Sequence, residues 1–251
     1  MMGDLRIYPD RMSAARALAA LIVQVSQSAV AVRDRFVLAL SGGSTPRETY
    51  RLLADEFNDD IDWMRTHIFW SDERCVPHTD PESNLRMARE TLLNHVPIAF
   101  DHIYPVPTEF PPVQAADLYQ SQIDRFFEMR GGRPRFDLIL LGMGSDGHTA
   151  SLFPGSPALD ERHARAVAVT VDAPIANRVT LTLPVLNSAG HVAFLVTGED
   201  KAAALARVMA GGEAPPLPAA RVQPTDGRLT WIVDEAAAKG LRGGEDMLEI
   251  D

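Results

Sequence analysis

An α/β fold with a mostly parallel central sheet is predicted by three features of this 251-residue sequence. Short β-rich runs alternate with helix-length amphipathic segments, several of those runs are too apolar to have a wet face, and 46% of the residues are hydrophobic. Runs of that kind suit strands covered on both faces, and the intervening helices supply the covers. The whole chain, 1–251, is expected to form a single domain without internal repeats. A glycine- and acid-rich tail from about residue 242 is expected to fray.

The first run, 5–8, leads into a helix-length segment at 13–32. The next, 36–40, is the unbroken apolar stretch Phe36-Val37-Leu38-Ala39-Leu40, followed by Ser41-Gly42-Gly43-Ser44-Thr45-Pro46-Arg47-Glu48. Thr45 as N-cap, Pro46 at the first helical position and Glu48 three residues after the cap fit a capping box that opens a helix over 46–57. That helix is expected to bury Tyr50, Leu53 and Phe57. In front of it, Gly42 and Gly43 let backbone N–H groups approach an anion, and Ser41, Ser44 and Thr45 add hydroxyls at the positive end of the helix dipole. A phosphate fits this loop, and so does a plain strand-to-helix turn. No Gly-Lys-Ser/Thr follows, so a nucleotide P-loop is not indicated.

A strand over 67–70 ends at Trp70 and is followed by Ser71-Asp72-Glu73-Arg74. Ligands bind beyond the carboxyl ends of parallel strands. There Arg74 has the fork to grip phosphate oxygens, with Asp72 or Glu73 fixing it, although such a run also makes ordinary surface ion pairs. Asn84 falls in the first turn of a helix expected over 81–95. Cys75 is expected to be a small buried filler, since no histidine-cysteine pairing signal accompanies it. A short strand at 102–104, a proline-rich loop at 105–112 and a helix at 113–129 follow.

The run 136–141 passes directly into Gly142-Met143-Gly144-Ser145-Asp146-Gly147-His148-Thr149-Ala150-Ser151. The three glycines satisfy G-x-G-x-x-G, but Pro154 and Pro157 arrive too soon for the long helix that a dinucleotide turn opens. The glycines are better read as shaping a turn that presents His148 at the strand's carboxyl edge. There an imidazole can take and return a proton as a general base, unless it is merely a structural histidine. Asp146 has two roles open to it, orienting the imidazole or closing an Asp-Gly turn.

Further strands are expected at 166–169, 178–183, 191–196 and 229–233, with helices at 200–210 and 235–239 and a proline-rich loop at 215–218. Arg178 opens an alternating strand. Lys201 begins a helix, where its charge opposes the dipole unless an anion is near. Both join Arg74 as candidate cations for an acidic substrate.

Composition bounds the rest. The net charge of −10 disfavours nonspecific binding to nucleic acid or to anionic membranes, so an anionic ligand needs a local cluster of donors. The single cysteine excludes an internal disulfide framework, and no leader or run of about 18 apolar residues is evident, which reads as a soluble cytoplasmic protein. The histidines lack metal-ligand spacing, and there is no G-x-S-x-G elbow of a serine hydrolase.

Taken together, Ser41-Gly42-Gly43-Ser44-Thr45-Pro46, Trp70-Ser71-Asp72-Glu73-Arg74, Ser83-Asn84 and the stretch from Leu141 to Pro154 resemble the 6-phosphogluconolactonases. The resemblance continues through Arg178-Val179-Thr180, Gly198-Glu199-Asp200-Lys201 and Trp231-Ile232-Val233-Asp234. It implies a Rossmann-like three-layer α/β sandwich with helices on both faces of the sheet. It also implies hydrolysis of 6-phospho-D-glucono-1,5-lactone, the second step of the oxidative pentose phosphate pathway, with no cofactor and no metal. His148 would then be the base, with Asp146 beside it. Ser41, Gly42, Gly43, Ser44, Thr45, Asp72, Arg74, Asn84, Gly144, Arg178 and Lys201 would hold the substrate, and backbone N–H groups of 142–147 would stabilise the oxyanion. The expected partner is a phosphorylated sugar lactone, with no nucleic acid and no membrane, bound by a monomer in which weak self-association is allowed. The alternatives are glucosamine-6-phosphate deamination and isomerisation on the same phosphate cradle, or non-catalytic sensing of a sugar phosphate.

Overall fold

The computed structural model describes residues 3–129 and 134–241; the tail expected to fray from about residue 242 lies outside the described residues. In chain order its elements are β1 (Asp4–Tyr8), α1 (Arg11–Arg33), β2 (Phe36–Leu40), α2 (Arg47–Asp55), β3 (Thr66–Trp70), β4 (Asp72–Arg74), α3 (Asn84–Ala88), α4 (Pro112–Glu128), β5 (Leu138–Leu141), β6 (Ala166–Thr170), β7 (Asn177–Leu181), α5 (Leu183–Ser188), β8 (His191–Val196), α6 (Ala202–Ala210) and β9 (Arg228–Asp234). Six strands form a parallel sheet in the order β1-β9-β8-β5-β2-β3. Strands β2, β3, β5 and β8 are buried along their whole length, which is why their sequences carry no polar face.

The two-residue side-chain period of a strand divides the core in two. In β2, Val37 and Ala39 pack with Phe69, Ile139, Phe194 and residues of α4 and α6 on one face. Phe36, Leu38 and Leu40 pack with Ile68, Trp70, Leu195 and residues of α1, α2 and α3 on the other. Helices on both faces of one sheet make a three-layer sandwich. Helix α1 has an 18-residue window of mean hydropathy 1.5, enough by length and composition to cross a membrane. Here it joins two strands of the sheet, and Leu18, Leu21 and Ile22 are buried in the core.

Several elements differ from the sequence expectation. The strand expected at 102–104 is a 3-10 turn, Phe100–His102, with a single bridge from Ile103 to Ile68 beside the edge strand β3. Tyr104 donates to the Ile68 carbonyl at 2.8 Å, and Pro105, without an N–H, cannot extend the ladder. The helix expected over 81–95 is the short α3, capped by Ser83, followed by a wider π turn at Arg89–Leu93. The helix expected at 235–239 is a 3-10 turn, Ala237–Leu241, and the short α5 was not anticipated. Strands β6 and β7 lie outside the central sheet. With β4, which lies outside the strands expected from sequence, they form an antiparallel sheet in the order β4-β7-β6.

The chain goes from β2 outward to β3, then returns to β5 on the other side of β2 and continues to β8 and β9. The strand order therefore reverses between β2 and β5, the position at which open α/β sheets bind ligands. The loops after Leu40 and Leu141 leave the sheet there and line one cleft with Arg74 and Arg178 of the β4-β7-β6 sheet.

Candidate active site

A cleft of about 450 Å³ opens at these carboxyl ends. Every residue of the sequence-derived set lines it except Asp146, which reaches it through His148. The loop after β2 is held from below by the buried Tyr50 of α2. Its hydroxyl accepts from the Ser41 N–H at 3.0 Å and donates to the Ser41 carbonyl at 2.7 Å. The capping box does not form. Pro46 already has helical backbone angles and is itself the N-cap of α2, without a side-chain capping bond, so Thr45 stands one residue outside the capping position. Glu48 pairs with Arg51 instead, at 3.0 Å. Gly42 is required by close approach, because a Cβ there would fall 1.9 Å from Oδ1 of Asn84.

Asn84 opens α3, and its amide Nδ2 donates to the Asp72 carbonyl at 2.9 Å. The buried Asp72 carboxylate accepts from the Ser151 hydroxyl at 2.7 Å and, more distantly, from Ser71 at 3.5 Å. Two residues on, Arg74 lies directly across the antiparallel ladder from Arg178. Like charges in opposite register repel. Arg74 answers part of its charge through Glu82, at 3.3 Å to the carboxylate, but its Nε is buried without a protein partner. Burial pushes the Arg178 guanidinium below its ordinary pKa, Asp72 opposes that and Arg74 adds to it. An anion in the cleft would relieve both arginines.

His148 is presented by the turn after β5. Its Nδ1 lies 2.6 Å from Oδ1 of Asp146, and the same oxygen accepts the His148 backbone N–H at 3.1 Å. A carboxylate only accepts, so Nδ1 carries the proton and Nε2 is the nitrogen left for proton transfer. Burial alone would raise the Asp146 carboxyl, but its interactions with the His148 backbone N–H and imidazole together outweigh it and hold its pKa below the ordinary value. The imidazole stacks on Phe153, with centroids 4.1 Å apart, and the Arg178 guanidinium lies over the same ring at 5.6 Å. Gly144 makes room for this arrangement: a Cβ would sit 2.1 Å from Nδ1 of His148. Its N–H is committed to the His148 carbonyl at 2.9 Å, and that of Gly147 to the Gly144 carbonyl at 3.0 Å. Those two amides are therefore not free as oxyanion donors, contrary to the sequence expectation for 142–147 as a whole.

Lys201 lines the cleft just before α6, but its ammonium pairs with Asp200 at 3.0 Å, so the helix-dipole argument for an anion at this lysine does not hold. Cys75 is partly buried against the core, and burial, with Glu73, pushes its thiol up to about 11, as befits a filler. Sequence reasoning missed Arg11, whose guanidinium donates to the Ser44 carbonyl in the loop after β2. It also missed the buried Asp234, whose carboxylate accepts from the Gly198 and Ala237 N–H groups and ties the loop after β8 to the end of β9. The Asp-Arg pair at positions 10 and 11, ahead of an apolar helix, was the available signal for Arg11: Asp10 caps α1 and so fixes where the arginine emerges.

Residues 9–231 match the family described as glucosamine-6-phosphate isomerases/6-phosphogluconolactonase. A 6-phosphogluconolactonase of Synechocystis sp. is 42% identical over 90% of this chain and 93% of its own length. The 6-phosphogluconolactonase of Homo sapiens is 41% identical over 95% and 94%. Among solved structures, 6-phosphogluconolactonase from Trypanosoma cruzi superposes with a TM-score of 0.86 at 30% identity, covering 96% of this chain and 97% of that one. With the cleft at the sheet's switch point and the family match spanning nearly all of its length, the chain belongs to the glucosamine-6-phosphate isomerase/6-phosphogluconolactonase family.

Proposed function

We propose that the protein hydrolyses 6-phospho-D-glucono-1,5-lactone to 6-phosphogluconate, the second step of the oxidative pentose phosphate pathway, and does so as a monomer in the cytoplasm. One observation carries the reading: His148 has Nδ1 anchored on Asp146 and Nε2 free, in a cleft that also holds Arg11, Arg74, Arg178 and Lys201. The substrate's phosphate rests on the loop of Ser41, Gly42, Gly43, Ser44 and Thr45, where the start of α2 and nearby guanidinium groups favour an anion. Asn84 and Asp72, locked by Ser151, line the same wall and position the sugar. Nε2 of His148 takes a proton from the water that attacks C1, and the carbonyl oxygen becomes an oxyanion facing the cleft's cations. As the tetrahedral intermediate collapses, the C1–ring oxygen bond breaks and the imidazolium returns its proton to that oxygen. The carboxylic acid formed then ionises, so each turnover releases one proton.

Proton release on adding freshly generated lactone, measured above the spontaneous rate for wild type and His148→Ala, tests this. Fast release by wild type, reduced about 10²- to 10⁴-fold in the variant, is expected. A folded wild type that gives no acceleration would sink the assignment.

A further inference from the structure

At the opposite, amino-terminal end of the sheet, a second groove of about 670 Å³ runs beneath α1 across the starts of β2, β5, β8 and β9. Its lining holds four arginines, Arg33, Arg35, Arg135 and Arg228, against one carboxylate, Asp137. The catalytic cleft, by comparison, sets four cations against Asp72, Asp200 and Asp234. In a chain of net charge −10, the more one-sidedly cationic concavity is thus not the catalytic one.

The single carboxylate is already engaged. Asp137 accepts the Val37 N–H at 2.8 Å and pairs with Arg33 at 2.7 Å. Arg135 donates to a carbonyl, that of Asp226, at 3.0 Å. Among the described residues no salt bridge involves Arg35, Arg135 or Arg228. His191, at the start of β8, adds a neutral polar group: its Nε2 lies 2.9 Å from the Thr230 hydroxyl, and burial, then Arg228 and Arg6, push its pKa down to about 4. Four guanidinium groups gathered in a concavity around one carboxylate, which Arg33 pairs with and Arg35 also attracts, leave a surplus of positive charge that repels itself, and a multiply charged anion removes that cost while using their fixed donors. The five residues of β2 separate this groove from the catalytic cleft by roughly 17 Å at about 3.3 Å per residue.

We infer that the groove formed by Arg35, Arg135 and Arg228 beside the Arg33–Asp137 pair is a second anion site that takes a pyrophosphoryl group, either free or carried by a nucleoside diphosphate. Three guanidinium groups that form no salt bridge among the described residues match the charge of such a ligand, where a single carboxylate would leave most of that charge unanswered.

Isothermal titration of the full-length protein with inorganic pyrophosphate and, separately, ADP at about 0.15 M salt, where diffuse surface attraction is screened, tests this. At least one probe should bind in a way that survives Arg178→Gln and weakens tenfold or more in Arg35→Gln/Arg228→Gln, the tighter probe naming the source. In parallel, the ring-proton resonances of His191 should shift on titration of wild-type protein while those of His148 stay in place, a readout that needs no variant to fold. Absence of binding by both probes, equal binding by the double variant, loss of binding in Arg178→Gln, or shifts confined to His148 would each overturn the proposal.

Discussion

In the proposed mechanism, the Asp146 carboxylate decides which nitrogen of His148 moves a proton. With Nδ1 held at 2.6 Å and the ring plane fixed against Phe153, only Nε2 can serve the cleft. Asp146→Asn keeps the size but can present an N–H to Nδ1 and so select the wrong tautomer. The expected result is kcat lower by about 10² or more with KM changed only a few-fold, since the lost interaction belongs to the transition state. Steady-state kinetics of the folded variant check it. The same pair has a pH signature. Because the Asp146 pKa is depressed in the folded protein, its contribution to stability is present above the ordinary value of 3.8 and is lost as pH falls through the lower folded value. The melting-temperature gap between wild type and Asp146→Asn should therefore narrow below about pH 4; a gap that holds constant down to pH 2 would show that the pair has no such coupling.

Strand β4 and helix α3 show how an element is pinned to make a site wall. The buried Glu73 carboxylate accepts the N–H groups of Arg74, Asn84 and Leu85, each at 2.8 Å, and so holds Asn84 against the loop after β2. Burial outweighs these bonds and pushes Glu73 up to about 7. The sign follows from a folded pKa above the ordinary 4.5: the contribution is fully present below 4.5 and is lost as pH rises through about 7. Glu73→Gln removes that ionisation, so the variant's melting temperature should gain on wild type between pH 4.5 and pH 8. A flat difference would contradict it. Across the same wall, Gly42→Ala drives a methyl into the Asn84 side chain, 1.9 Å from its Oδ1 in the present geometry. Its expected effect is a loss of kcat/KM of about tenfold or more with little change in overall fold, because the collision displaces the amide proposed to position the substrate rather than core atoms. Kinetics paired with circular dichroism separate the two.

Across the whole molecule, the central sheet couples both cores and both ends. Phe194 on β8 stacks on Trp231 of β9, with ring centroids 3.9 Å apart, and both are buried. Phe194→Ala should cost about 3–5 kcal/mol in urea unfolding, the cost of truncating a large core aromatic. The single-domain reading makes a companion prediction: tryptophan fluorescence and far-UV circular dichroism should report one coincident unfolding transition, since the reporters Trp63, Trp70 and Trp231 lie in both layers joined by the sheet. Two separated transitions would divide the chain into more than one folding unit.

Much of this architecture is local, and local features were legible. The apolar run of β2 and the glycine-serine loop after it, and the strand that delivers His148 beside Asp146, are written within a few consecutive residues, because backbone preference and two-residue burial act over that range. Even so, Thr45 was misplaced as a cap by one residue, since Pro46 took helical angles itself. The features that needed tertiary structure join distant segments. Arg74 meets Arg178 only because β4 pairs with β7, Arg11 reaches Ser44 only because α1 packs beside α2, and Arg178 lies over Phe153, which stacks on His148, only because β7 packs against that turn. None of these has a period or a motif to announce it. From the sequence alone came the six strands of the covered sheet, together with three runs that lie elsewhere, and the two turns proposed for an anion and a base. Strand order and register, which depend on how all the buried faces fit at once, decided which cations share the cleft and which were left together at the sheet's far end.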